Sequence, residues 1–219
     1  TLENGYVRWE EQIGGIAAHY GLVVASLTGI NQPLVVDAAT GKSLGTAEME
    51  SPRGVAFDAQ GRLVVLSGKQ ALRYALDAAD PKILPAAEKV CEGLEDPYGV
   101  ALDAQGNIYV SDREQSHQVK VFTPAGKPLR VIGKAGTPKA GPYDRLHMNN
   151  PRGVTIDSKG RLWVAEEDSQ PKRVSVWNPD GSLAQEFYGP ADYGGGGRID
   201  PQDKTKFYYN GMEFRLDWE

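Results

Sequence analysis

A fifteen-residue motif occurs three times in this 219-residue chain. Its copies are SPRGVAFDAQGRLVV at residues 51–65, DPYGVALDAQGNIYV at residues 96–110 and NPRGVTIDSKGRLWV at residues 150–164. The starts of the copies lie 45 and 54 residues apart (96 − 51 and 150 − 96). Self-similarity at such a spacing is typical of repeat architectures, so the chain is expected to be built from one repeated structural unit.

Each copy of the motif predicts two strands joined by a tight turn. The proline near its start lacks a backbone N–H, which costs nothing just outside a strand. The glycine that follows allows a neighbouring backbone to approach closely. Apolar residues two apart then share one face of the strand. An aspartate followed three residues later by glycine is typical of a hairpin turn. The first glycines of the three copies are Gly54, Gly99 and Gly153, and the turn aspartates are Asp58, Asp103 and Asp157.

A second pair of strands follows the motif in two of the units. Residues 118–133 read QVKVFTPAGKPLRVIG, and residues 173–189 read RVSVWNPDGSLAQEFYG. In both segments valines alternate with polar residues before a Pro-x-Gly turn, a pattern that favours a hairpin. One unit is therefore predicted to be a four-stranded antiparallel meander. Such sheets are the blades of a β-propeller, in which radial repetition protects the sheet edges.

The repeated unit resembles the NHL-repeat family. The family pattern is Pro-x-Gly-Val-x-x-Asp-x-x-Gly-x-x-Tyr-Val-x-Asp followed by an Arg-Ile-x-Val-Phe strand, and residues 96–122 match it best, with Asp112 as the last aspartate. The usual arginine of the third strand is replaced by Gln118 in this unit and is present as Arg173 in the next. Positions equivalent to Asp112 are held by Ser67 or a residue nearby in the preceding unit and by Glu166 in the following unit. The resemblance, good over three units and degraded over two, implies an all-β propeller.

We expect one propeller domain over residues 1–219, with four blades plus most of a fifth. The approximate blade boundaries are 14–49, 50–95, 96–149, 150–193 and 194–219. Because the last unit ends before a fourth strand, two interpretations stay open. The chain is either a piece of a larger protein with a six-bladed ring, or a five-bladed ring that residues 2–13 close. Open blade edges could also support self-association.

The net charge and the hydropathy of the sequence argue against a nucleic-acid partner and against a membrane span. A formal net charge of −5 argues against general affinity for phosphate backbones, so we expect no nucleic-acid partner. The sequence contains no apolar run of eighteen residues, so we expect no membrane span. The single cysteine, Cys91, forms no internal disulfide. We expect an extracellular or periplasmic location, in keeping with the scaffold function considered below.

The connections between strands indicate where a ligand binds. One set is short and stereotyped, whereas the other is long and irregular, and long loops on a rigid scaffold commonly carry binding residues. We call the side of the propeller formed by the long set the long-loop face. Its connections are residues 26–32, 67–70, 111–118, 133–150, 165–172 and 189–197. The candidate ligand-binding residues on it are Asp112, Arg113, Glu114, Tyr143, Arg145, His147, Glu166, Glu167 and Tyr193.

Two functions of different classes fit this sequence. The first is a non-catalytic scaffold that binds a protein, peptide or glycan through the long-loop face, and the resemblance implies it because NHL-like propellers are commonly interaction modules. The second is a metal-dependent enzyme, similar to amidating lyases or gluconolactonases, with Asp112, His147 and Glu166 holding Ca²⁺ or Zn²⁺ at the central channel. The chain has only 3 histidines and no recognisable catalytic nucleophile motif, so the scaffold is preferred, with no catalytic residue and no certain cofactor assigned.

Overall fold

The computed structural model describes residues 13–76, 87–139, 143–167, 172–189, 198–209 and 212–217. These residues form five antiparallel sheets, of which the first four contain four strands each and the fifth contains three. The sheets are the blades of a β-propeller, as the repeated motif predicted. In the five-bladed alternative, residues 2–13 close the ring; of these, residues 2–12 lie outside the described residues. In the described part of the chain, no helix has the length and apolar character needed to cross a membrane.

The strands of each sheet follow one another in chain order. Blade 1 contains β1 (Gly15–His19), β2 (Leu22–Leu27), β3 (Gln32–Asp37) and β4 (Ser43–Thr46). Blade 2 contains β5 (Pro52–Phe57), β6 (Leu63–Ser67), β7 (Gln70–Tyr74) and β8 (Glu88–Cys91). Blade 3 contains β9 (Pro97–Leu102), β10 (Ile108–Asp112), β11 (Gln118–Phe122) and β12 (Pro128–Ile132). Blade 4 contains β13 (Pro151–Ile156), β14 (Leu162–Glu166), β15 (Arg173–Trp177) and β16 (Leu183–Tyr188). Blade 5 contains β17 (Arg198–Ile199), β18 (Lys206–Tyr209) and β19 (Met212–Arg215).

The turn between the two strands of the motif is held by its aspartate. In blade 3, Oδ1 of Asp103 accepts hydrogen bonds from the backbone N–H groups of Gln105 (3.0 Å) and Asn107 (2.8 Å). Its Oδ2 accepts a bond from the side-chain amide of Asn107 at 2.8 Å. Gly106 has a φ of +79°, which glycine adopts without strain. The same backbone contacts recur at Asp58 and Asp157, so one aspartate closes each of the three turns.

The core lies between neighbouring blades. Blades 1 and 2, 2 and 3, and 3 and 4 each enclose one cluster of buried apolar side chains. Between blades 3 and 4, for example, Met148 and Trp177 are almost fully buried with Val121. Because adjacent sheets bury their facing surfaces against each other, the blades position their loops rigidly.

The motif glycines allow close packing of the inner strands at two of three sites. A Cβ atom on Gly54 would lie 2.8 Å from the carbonyl oxygen of Tyr98, and one on Gly99 would overlap the carbonyl oxygen of Arg152. At Gly153 the nearest atom is the Cβ of Ala165 at 3.7 Å, which is ordinary contact. The expected close approach is therefore wrong at Gly153, since no described strand packs tightly against that part of β13.

Candidate functional site

Asp112, a predicted ligand residue, is buried and bonded to the backbone. Its Oδ1 accepts hydrogen bonds from the backbone N–H groups of Asp96 (2.8 Å) and Glu95 (3.0 Å). Oδ2 lies 2.6 Å from Nζ of Lys120, and the side chain of Asp112 has no exposed surface. The carboxylate therefore fixes the connection that leads into the inner strand β9.

Residues equivalent to Asp112 hold the same connection in the neighbouring blades. Ser67, Asp112 and Glu166 all pair with the motif proline at the start of the inner strand. Oγ of Ser67 donates to the carbonyl oxygen of Glu50 at 2.8 Å, and Oε2 of Glu166 accepts from the backbone N–H of Asn149 at 2.8 Å. We call Ser67, Asp112 and Glu166 the clamp residues, because each fastens a blade-to-blade connection to its own sheet.

Glu166 is additionally part of a buried ion pair. Its Oε1 accepts from Nε of Arg173 at 2.6 Å and from Oγ of Ser175 at 2.9 Å. Burial raises the pKa of the Glu166 carboxyl, and the positive charge of Arg173 and the N–H of Asn149 oppose that effect. All of these contacts make Glu166 a structural residue of blade 4.

Arg173, the cation of this ion pair, also binds the long loop before β13. The guanidinium donates to the hydroxyl of Tyr143 at 2.7 Å and to the carbonyl oxygens of Arg145 (2.9 Å) and His147 (2.8 Å). It also forms an ion pair with Glu186, whose Oε2 accepts a hydrogen bond from Nε of Arg145 at 2.5 Å. Tyr143, Arg145 and His147 are thus brought together around one arginine, and that arginine fixes the course of their loop.

The three predicted metal ligands each have other partners in the structure. His147 places Nδ1 3.0 Å from the carbonyl oxygen of Gly136, and its Nε2 lies 3.8 Å from Asp144. Within the described ranges, no group of three or more His, Cys, Asp or Glu side chains is arranged to hold a metal ion. Asp112 and Glu166 instead use their oxygens on backbone N–H groups and on cations.

The other predicted residues differ in exposure. Glu114 is exposed, with a φ of +55°, at the tip of the β10–β11 connection. Glu167 follows the last residue of β14, and its side chain is 48% exposed. Tyr193 lies outside the described residues. Arg113 belongs to a larger group of contacting side chains.

Three arginines from neighbouring blades surround one tyrosine at the start of the inner strands. The centres of the Arg152, Arg113 and Arg53 guanidinium groups lie 4.5, 4.6 and 5.4 Å from the ring centroid of Tyr98. Such distances allow cation–π attraction. We call this group, with its two acidic neighbours, the arginine–tyrosine cluster: Arg53, Asp96, Tyr98, Arg113, Arg152 and Glu167.

Hydrogen bonds and ion pairs fix the geometry of the arginine–tyrosine cluster. Oδ1 of Asp96 accepts a hydrogen bond from Nη1 of Arg53 at 2.6 Å. Its Oδ2 lies 2.8 Å from both Nε and Nη2 of Arg113. Nη1 of Arg152 donates to the hydroxyl of Tyr98 at 2.9 Å, and its Nε contacts the carboxylate of Glu167. The cluster therefore joins blades 2, 3 and 4 on the long-loop face.

The charge of Asp96 is maintained by its arginines. Burial raises the pKa of this carboxyl, but the hydrogen bond from Arg113 and the charge of Arg53 outweigh it, so the pKa lies below its ordinary value. Counted by formal charge, three arginines and two carboxylates leave one net positive charge on the cluster. The side chains of the three arginines keep between 13% and 30% of their surface exposed, so each is partly open to solvent.

Sequence reasoning missed Arg53, Tyr98 and Arg152. All three occupy the position between proline and glycine in the repeated motif. This variable position lies at the same place in each inner strand, so in a propeller its side chains meet near the axis. Aligning the three copies and reading that position alone would have indicated a shared site.

Comparison with known proteins supports the fold. The family model described as NHL repeat matches residues 94–122. A search of curated proteins found no match. A streptogramin B lyase structure gives a TM-score of 0.59 at 17% identity, covering 82% of this chain and 55% of that one. A nidogen/laminin complex gives 0.59 at 16% identity, covering 84% and 66%. Virginiamycin B lyase from Staphylococcus aureus gives 0.59 at 17% identity, covering 95% and 71%.

These identities are low, so the similar structures establish the architecture alone. The chain spans 55% and 66% of the length of the first two of these structures. Within the part it spans, the repeated motif, the four-stranded sheets and the family match at residues 94–122 agree with one another. The chain is therefore a β-propeller, and its residues 94–122 match the NHL repeat.

Proposed function

We propose that this propeller is a non-catalytic binding module that holds a protein, peptide or glycan partner on its long-loop face. The arginine–tyrosine cluster is the observation that carries the proposal. It gathers Arg53, Arg113 and Arg152 around the ring of Tyr98 and leaves all three arginines partly exposed. Arginine and tyrosine are enriched among the residues that contribute most to binding energy at protein interfaces.

The fixed loops around the cluster support the same role. Asp112 fastens the connection that carries Asp96, and Glu166 fastens the connection before β13. A binding surface that is ordered before the partner arrives loses less conformational entropy on association. The clamp residues therefore favour a surface whose backbone is already in place when a partner binds.

The similar structures include one with a stated assembly and two with a stated activity. One is a nidogen/laminin complex, and two others are lyases. The alternative function for this chain, a metal-dependent enzyme, would need ligand side chains available for the ion. Of its candidate ligands, Asp112 and Glu166 each pair with a cation and accept at least one hydrogen bond from a backbone N–H group. We therefore favour binding over catalysis.

An array of immobilised peptides and glycans tests the proposal. The labelled wild-type chain is expected to bind a defined set of ligands, and the double variant Arg53→Gln/Arg152→Gln to lose at least about tenfold in affinity for them. Arg161→Gln is the matched control, because Arg161 also pairs with an aspartate and lies over an aromatic ring, in the Asp157 turn. An unchanged ligand set in a folded double variant would contradict the proposal.

A further inference from the structure

We propose, building on the binding role above, that the arginine–tyrosine cluster recognises a single carboxylate of an acidic peptide, and that Glu167 occupies the place of this carboxylate in the free protein. Glu167 contacts Nε of Arg152 from the surface of the long-loop face. In the bound state the ligand carboxylate replaces Glu167 on Arg152. Glu167 is then a built-in competitor that weakens binding.

The cluster has donors to spare for a ligand. Arg53 uses only Nη1, on Asp96 and on the carbonyl oxygen of Pro97, for hydrogen bonds to the described residues. Within the same part of the chain, Arg152 donates a hydrogen bond through Nη1. Its buried Nε lies against the carboxylate of Glu167 without forming a hydrogen bond, and its Nη2 has no bond to the described residues either. Guanidinium groups bind carboxylates through two parallel N–H donors. The available nitrogens can therefore form such a pair once Glu167 moves aside.

The charge of the cluster sets the size of the anion. Once Glu167 moves aside, three arginines face Asp96 alone, and one ligand carboxylate restores the negative charge that Glu167 supplies in the free protein. The whole chain carries a formal charge of −5, so a long polyanion would meet repulsion beyond the cluster. A peptide that presents one carboxylate, with its backbone along the neighbouring loops, fits this balance of charges.

Glu167 and Asp96 differ in how firmly they are held. Asp96 bonds to two arginines, is 24% exposed and has a lowered pKa. Glu167 contacts one arginine and is 48% exposed, and exposed ion pairs are weak because water and salt screen them. Glu167 is consequently the acid that a ligand displaces, while Asp96 keeps Arg53 and Arg113 in position.

Two short peptides with blocked ends test the inference: Gly-Gly-Glu-Gly-Gly and the same peptide with glutamine in place of glutamate. Binding is measured by NMR titration at low salt. We expect the glutamate peptide to bind at least about tenfold more tightly than the glutamine peptide. Glu167→Gln should tighten glutamate-peptide binding by about fivefold, since it removes the competitor. Arg152→Gln should weaken it by about tenfold or more, and Arg161→Gln should leave it unchanged.

The variants separate the possible failures. Equal binding of the two peptides, no binding of either, or weaker binding by Glu167→Gln would each overturn the inference. Because Glu167→Gln is predicted to bind more tightly, a loss of folding cannot imitate the expected result. If array ligands depend on Arg53 and Arg152 but bind without a carboxylate, this inference fails while the proposed binding function stands. If no array ligand depends on those arginines, the binding function itself fails.

Discussion

Lys120 forms an ion pair with the fully buried carboxylate of Asp112, with 2.6 Å between Nζ and Oδ2. The same carboxylate accepts hydrogen bonds from the backbone N–H groups of Glu95 and Asp96. One side chain thus connects β10, β11 and the connection that enters β9. A residue chosen from the sequence as a possible ligand therefore holds one blade-to-blade connection in place.

Removal of this carboxylate should destabilise the fold strongly. Asp112→Ala removes the carboxylate from Lys120, whose ammonium keeps the carbonyl oxygen of Gly93 at 3.3 Å, and leaves two backbone N–H groups without acceptors. We therefore expect a loss of about 3–5 kcal/mol in the free energy of unfolding. Urea denaturation measures it. Asp112→Asn, which keeps one acceptor oxygen, should lose less. Glu114→Ala, at the exposed tip of the next connection, should change stability by no more than about 0.5 kcal/mol.

Two glycines in equivalent positions of the motif should respond differently to alanine. Gly99→Ala would drive a methyl group into the carbonyl oxygen of Arg152, at a cost of about 2–4 kcal/mol. Gly153→Ala meets only ordinary contact with Ala165, so its effect should remain within about 1 kcal/mol of zero. Thermal melts of the two variants give the comparison. Similar losses at both positions would show that the inner strands are packed in another way.

Local interactions in the fold could be predicted from the sequence. The turn at Asp103 depends on residues within four positions of it, so composition and spacing are enough to identify it. The equivalence of Ser67, Asp112 and Glu166 also follows from aligned copies, and the strand pairing confirms it. The four-stranded blades follow from the same repeat.

Interactions between blades could not be read in the same way. The cation that pairs with Asp112 is Lys120, whereas the family pattern has its arginine at the position of Gln118. The contrast between Gly99 and Gly153 depends on which strand packs against each, and a motif copy carries no such information. The candidate site required the same knowledge, because the members of the arginine–tyrosine cluster come from three blades.

Cys91 should be unreactive in the folded protein. Its side chain is buried in the cluster between blades 2 and 3, and burial raises the pKa of the thiol to about 11. At pH 8 roughly one molecule in a thousand would carry the reactive thiolate. Ellman's reagent should modify the native chain slowly and the urea-unfolded chain at once. A Ser182→Cys variant, with a second thiol in an exposed turn, should show one fast and one slow reaction; a single fast phase would contradict the burial of Cys91.

Asp157 should remain ionised to unusually low pH because of Trp163. The indole N–H donates to Oδ2 at 3.0 Å and holds the pKa of the carboxyl well below its usual value, with further bonds from the backbone and side chain of Arg161. A lowered pKa in the folded state means that the stabilising effect is present above the ordinary aspartate pKa of about 3.9, and is lost as the pH falls through the folded value.

Replacing Trp163 tests the cause of this shift. In Trp163→Phe the indole donor is absent, so the pKa of Asp157 should move upward toward its ordinary value. NMR titration of the aspartate carboxyl carbons follows the change directly. The carboxyl signal of Asp103 is the internal reference. Its Oδ1 accepts the equivalent backbone hydrogen bonds in the turn of another blade. An unchanged Asp157 titration in the variant would mean that Arg161 and the turn backbone, rather than the indole, keep this carboxyl ionised.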